Sequence, residues 1–233
     1  MIDLKKISKE QLLEGMNLAL KNARSLLKEA ELLVHHNAYA RAFALGTLSI
    51  EEVGKVVFLT MSFHRDFLEA KKKDVDKFWK WYSSHRAKVD FFEHFYLRKW
   101  KSVLYVHKRK HNTKSEGDSE SFRRFMNKIG TIYSYMGEVR VSSISELKLK
   151  CFYSDIDRKT LKFCTPPHVP KKVVQALLFL TKSHIRDGEN LRNVFRRAKS
   201  DRISEEIMVE MFKSTGIVEL GKLARELSLA YDK

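Results

Sequence analysis

Apolar positions recur at helical spacing along most of this chain. Leu12, Met16, Ala19, Ala23, Leu26, Ala30 and Leu33 form one stripe, which predicts a long first helix. It starts at Ser8, with Gln11 three residues on in capping-box spacing. His35, His36 and Asn37 read as a turn, and a second helix follows over about residues 39–61. On that helix Tyr39, Phe43, Gly46, Ile50, Val53, Val57 and Met61 share one face, while Leu45, Leu48, Val56 and Leu59 cover most of the other. A helix that is apolar nearly all round is central and buried. Two long helices joined by a tight turn make an antiparallel hairpin.

A third helix begins near Asp74, with Phe78, Trp81, Tyr82, His85, Val89, Phe92 and Tyr96 on one face. Residues 108–121 are polar throughout and read as a flexible surface loop. Phe122, Phe125, Met126, Ile129, Ile132, Tyr133 and Met136 mark a fourth helix. The rhythm then breaks. Leu147, Leu149 and Cys151 alternate with Lys148 and Lys150, and an Asp-rich turn at 154–157 leads into a second short run, so this region reads as a small irregular or β-hairpin insertion near 147–165. An extended linker with Pro166, Pro167 and Pro170 precedes a fifth helix over residues 171–197, on which Val173, Leu177, Leu180, His184, Gly188, Leu191 and Phe195 share a face. Two further helices form a C-terminal extension over 199–233. The expected architecture is an all-α bundle of about seven helices in a single domain, 1–233.

Composition sharpens this. Three prolines and nine glycines in 233 residues suit a helical protein. The balance of 45 basic against 29 acidic residues, a formal charge of +16, exceeds what solubility needs and points to an anionic partner: nucleic acid, or an acidic protein surface. Cys151 and Cys164 are too few for a disulfide framework. No apolar run approaches the roughly 20 residues of a membrane span and no signal peptide is visible, so the chain reads as cytoplasmic. Nothing in the sequence asks for a cofactor or a metal: there is no Gly-rich phosphate loop, nucleophile elbow or Cys-x-x-Cys pair, and His107 and His111 lack a third ligand.

The central helix carries charge where charge is costly. Glu51, Glu52 and Lys55 lie within SIEEVGK, Ser49 to Lys55, and either carboxylate is within one turn of the ammonium. His85 and Lys88 lie one turn apart on the third helix. One reading is a structural ion-pair network. The other is a polar acid–base site inside the bundle, formed by Glu51, Glu52, Lys55, His85 and Lys88, whose groups shift one another's proton affinities. His184, Arg186 and Glu189 form a further polar group on the fifth helix. Between Phe92 and Lys110 basic residues interleave with aromatics, and Lys99, Lys101, Lys108 and Arg109 are candidates for nucleic-acid binding.

The run Ala30, Leu33, Ala38, Tyr39, Ala42, Leu48, Ser49, Ile50, Glu51, Glu52, Gly54 and Lys55 resembles the AbiV-type abortive-infection proteins of the HEPN superfamily. Ser84-His85-x-x-Lys88 and the turn from Cys151 to Asp155, followed by Pro167 and a long helix, are similar to that family too. The resemblance spans about residues 12–195. It implies a HEPN-like bundle, usually a homodimer, that acts in phage defence. Many HEPN proteins are metal-independent RNases built on Arg-x4-6-His. That spacing is absent here, and the nearest approach is Lys101-x5-His107. Three functions stay open: a toxin that interferes with RNA or translation, a non-catalytic basic protein that works by binding and is triggered by a phage protein, and a purely structural dimer module.

If the positive charge serves RNA, affinity for a single-stranded oligonucleotide should fall steeply with salt. Neutralising Lys99, Lys101, Lys108 and Arg109 should flatten the slope of log affinity against log salt by roughly three units, near 0.7 per lost contact. An unchanged slope would place the contact surface elsewhere.

Overall fold

A computed structural model describes residues 7–62, 80, 82–89, 116–152, 155–156 and 163–197. Five helices dominate them: α1 (Lys9–His35), α2 (Tyr39–Ser62), α3 (Glu116–Glu138), α4 (Ile144–Phe152) and α5 (Lys171–Arg197). A short helical segment, residues 85–89, lies against α2. The expected all-α bundle is what the described residues form. The expected C-terminal extension, 199–233, lies outside them, as do Phe78, Trp81, Phe92 and Tyr96.

The first hairpin forms as its pattern dictates. Ser8 caps α1 through a full capping box, its hydroxyl accepting from Gln11 N while Gln11 Oε1 accepts from Ser8 N at 2.8 Å. The stripe that α1 buries is Leu12, Met16, Ala19, Leu20, Ala23, Leu27 and Ala30, displaced slightly from the expected one: Leu20 and Leu27 take the core positions read for Leu26 and Leu33. Asn37 closes the turn at φ 58°, a left-handed conformation that asparagine tolerates. Inside the hairpin Ser49 Oγ donates to the carbonyl of Ala23 at 2.7 Å. The buried Thr47, Thr60 and Thr181 satisfy their hydroxyls on the carbonyl four residues back.

α5 lies against both helices of the hairpin, and α3 packs on α5. Its predicted face is fully inside: Val173, Leu177, Leu180, His184, Leu191 and Phe195 are all 2% exposed or less. Two glycines set the α2–α5 distance. A Cβ on Gly46 would stand 2.9 Å from a methyl of Leu178, and one on Gly188 would stand 2.9 Å from a methyl of Val53. Polar pairs tie the outer edge of α5 to α1: Arg192 to Asn17, Glu189 to Arg24, and Lys182 to Glu31.

Three sequence expectations are corrected. The polar stretch 108–121 is not a loop to its end, because α3 already begins at Glu116, helped by an i,i+4 pair between Glu120 and Arg124. The third helix is not continuous. Ser83 Oγ donates to the carbonyl of Lys80, and Ser84 Oγ accepts from Ala87 N at 3.1 Å, so Ser84 ends one helical stretch and caps the next. Finally, residues 147–151 do not form a strand. Ser143 caps a helix there, accepting from Glu146 N at 3.1 Å, and Glu146 accepts from Ser142 N at 2.8 Å. The bonds from Ser142 hold the Glu146 carboxyl below its ordinary range, the backbone bond most of all. The cap overrides the alternation, and Leu149 is left 53% exposed. The hairpin survives only as a two-residue antiparallel pair, Asp155 with Cys164 and Ile156 with Phe163.

Replacing Gly188 by alanine should cost roughly 1–3 kcal/mol, because Val53 is β-branched, fully buried and cannot swing aside. A urea melt checks this: the midpoint should fall with the slope unchanged.

Candidate functional site

Glu51 is the centre of the polar cluster. It is 2% exposed on a helix whose neighbours Ile50 and Val53 are fully buried. Its two oxygens go to two different segments. Oε1 accepts from Lys148 Nζ on α4 at 2.6 Å, and Oε2 lies 2.5 Å from His85 Nδ1. Lys148 is itself 4% exposed. A carboxylate and an ammonium taken this far from water hold each other in place, since removing either strands the other.

His85 does not sit in the core as its helical position suggested. The break at Ser84 moves it to the first position of a new helical turn, and its side chain is 66% exposed. A carboxylate accepts and does not donate, so Nδ1 carries the hydrogen toward Glu51, and Nε2 is the nitrogen left for other chemistry. One end of this dyad is dry and the other wet.

Glu52 and Lys55 form a second pair at 2.6 Å, with 16% and 28% of their side chains exposed. Such a partly solvated i,i+3 pair contributes less than about 1 kcal/mol. Lys55 is therefore not the cation that neutralises the buried acid. Tyr82 borders this pair. Burial pushes its hydroxyl up from the ordinary value, and Lys55 and Glu52 act on it in opposite senses.

Lys88 completes the set at 4% exposed. It rests on Gly54, where a Cβ would stand 3.1 Å from its own Cβ and 3.4 Å from its carbonyl oxygen. Gly54 thus permits the close approach that carries His85 and Lys88 to α2. Burial pulls the Lys88 ammonium below the ordinary lysine value. Lys55 and Lys148 add to that shift, and Glu51 and Glu52 oppose it.

The structure thus brings together Glu51, Glu52, Lys55, His85 and Lys88, and adds Lys148, which the sequence reading missed. The signal was present in Ser143-x-x-Glu146, a capping pattern that turns 144–152 into a helix and Lys148 inward. Lys99, Lys101, Lys108 and Arg109 lie outside the described residues, as do His107 and His111. His184, Arg186 and Glu189 do not converge: His184 is buried, Arg186 is exposed, and Glu189 binds Arg24. Among the described residues no group of three or more His, Cys, Asp or Glu side chains is arranged to hold a metal ion, and no helix is long and apolar enough to cross a membrane.

A helical bundle with a buried acid on its central helix, holding an exposed histidine, is the class of structure defined here. A family model described as AbiV, for the HEPN domain of that name, matches residues 11–185, a stretch that includes every residue of the cluster. The chain belongs to the AbiV family of HEPN domains, and this membership suggests a part in abortive-infection defence. No curated protein and no solved structure matches the chain.

Lys148→Ala should cost roughly 3–5 kcal/mol by leaving Glu51 buried without its ammonium. Converting the pair together to Glu51→Leu and Lys148→Met should recover most of that loss. Urea midpoints of the three proteins check this, and a double variant no better than the single one would show that the pair is not the unit.

Proposed function

We propose that this protein is a toxin of phage defence that arrests the infected cell by acting on RNA, with His85 as its acid–base group. The observation that carries the reading is the Glu51–His85 contact: a buried carboxylate fixes one nitrogen of a solvent-facing imidazole. Such an imidazole is a competent base. Its Nε2 takes the proton of a ribose 2′-hydroxyl as that oxygen attacks the neighbouring phosphorus. The proton then goes to the departing 5′-oxygen, leaving a 2′,3′-cyclic phosphate. In this mechanism Glu51 orients and Lys148 holds Glu51, while Glu52 and Lys55 contribute the local field. The missing Arg-x4-6-His spacing is compatible with it, because the carboxylate–histidine pair performs the orienting step by other means.

A second reading draws on that missing spacing and on the charge of +16: a non-catalytic protein that blocks RNA or the translation machinery by binding and answers to a phage protein. In either case the acting form is a homodimer, a reading supported by Leu18, Leu32 and Phe179, large apolar side chains left 44–60% exposed on α1 and α5.

His85→Gln separates the two. Because His85 is mostly solvated, the variant should melt within a few degrees of the parent. On the catalytic reading it loses protection in plaque counts, and RNA in infected cells stays intact. A stable variant that still protects fully would eliminate His85 as the acid–base group.

A further inference from the structure

Among the described residues the cluster is not charge-balanced. Three ammonium groups, Lys55, Lys88 and Lys148, stand against two carboxylates, Glu51 and Glu52. Both carboxylates are engaged, Glu51 by Lys148 and His85 and Glu52 by Lys55. That leaves Lys88. Its side chain is more than nine-tenths buried, and among the described residues no hydrogen bond or ion pair holds its ammonium. Glu51 and Glu52 favour its charge from nearby without pairing with it. A lysine with a buried stem and no direct partner for its ammonium is costly to keep, and an anion that meets it offsets that cost.

We propose that Lys88 is the anion-receiving group of this site and that its ligand is the phosphate of a phosphodiester chain. The excess of one positive charge matches a diester, which carries one negative charge, better than a monoester, which carries up to two. Position agrees with charge. Lys88 lies three residues after His85 on one helical segment, so both side chains leave the same side of that segment one turn apart. A phosphate held by Lys88 therefore lies beside the imidazole that would act on its neighbouring ribose. Gly54 is what admits Lys88 to this position, since any larger residue presses on the Lys88 Cβ. The proposal deepens the reading above by naming the substrate's anchoring group, and it rests on the same cluster. It does not require His85 to be catalytic.

Proton linkage follows in sign. Folding lowers the proton affinity of Lys88 from its ordinary 10.5, so the unfolded chain binds more protons there. The group then opposes folding at neutral pH, and stability rises with pH between the lowered value and 10.5. A bound anion reverses this by favouring the charged ammonium.

The test uses the full chain with two small probes at constant ionic strength. Thymidylyl-thymidine is a diester without the 2′-hydroxyl that cleavage needs, and thymidine 5′-monophosphate is a monoester. The diester should raise the melting temperature of the parent protein, with the logarithmic dependence on its concentration that binding to the folded state requires, and bind more tightly than the monoester. Lys88→Met, which keeps the buried stem, should melt no lower than the parent without ligand and bind the diester at least tenfold more weakly. Parental affinity in Lys88→Met would overturn the proposal, as would tighter binding of the monoester. Should the variant fold poorly, 13C-methylation of lysines in the parent protein gives a second readout: the Lys88 resonance should shift with diester saturation, and a stationary one would overturn the assignment. His85→Gln should keep the diester response. If it does so while still protecting cells, the catalytic reading fails and the anion site stands.

Discussion

Everything in the polar centre depends on one buried carboxylate. Glu51 has two oxygens and no access to water, so each oxygen requires a donor brought from another part of the chain. The demand is stricter than that of any apolar contact nearby. An imperfectly packed methyl group costs about 1 kcal/mol, whereas an unpaired buried charge costs several. The hydrophobic faces of α1, α2 and α5 supply the bulk of the stability, and Glu51 selects how the remaining pieces dock: α4 must present Lys148, and residues 85–89 must present His85. The sequence around Glu51 serves the same end. Ser49 fastens α2 to α1, Ile50 and Val53 seal the flanks, and Gly54 clears room for Lys88.

The dyad spans the boundary between protein and solvent. Glu51 lies in the dry part, where its hydrogen bond is strong and its orientation fixed. His85 lies in the wet part, where a polymer can reach it. A histidine buried with its carboxylate would be equally well oriented and inaccessible. One exposed without a buried partner would be accessible and free to rotate. The cap at Ser84 makes the compromise, because it restarts the helix one residue before His85 and takes that side chain off the face that an unbroken helix would give it.

The long periodic elements were legible in the sequence. α1, α2 and α5 have the starts and ends that their stripes and caps announce, and the six side chains that the spacing of α5 names are all buried. Most of the cluster was legible too, because Glu51, Glu52 and Lys55 sit on a helix with nowhere polar to face. What misled were short-range signals in competition. At 147–151 a run alternating with period two lay under a capping serine, and the cap prevailed. Two bonds at the helix start outweigh the faint strand preference of five residues that include two lysines. Lys148 was lost with that misreading. At 83–84 two serines interrupt what periodicity treats as one helix, so His85 was given a buried face it does not have. Periodicity describes a face only while the helix is unbroken, and it is blind to side-chain bonds that break it.

Lys148 follows Glu51 by 97 positions. During synthesis α1, α2 and the segment bearing His85 leave the ribosome well before α4 does. A chain at that stage has the acid and the imidazole but not the ammonium that fixes the acid, so the pair has no enforced geometry. A product that ends before α4 therefore lacks an ordered site, and the centre assembles only once Lys148 has been made. On the proposed reading as a toxin, this order of assembly is a safeguard, because a chain that ends before Lys148 lacks the ordered site.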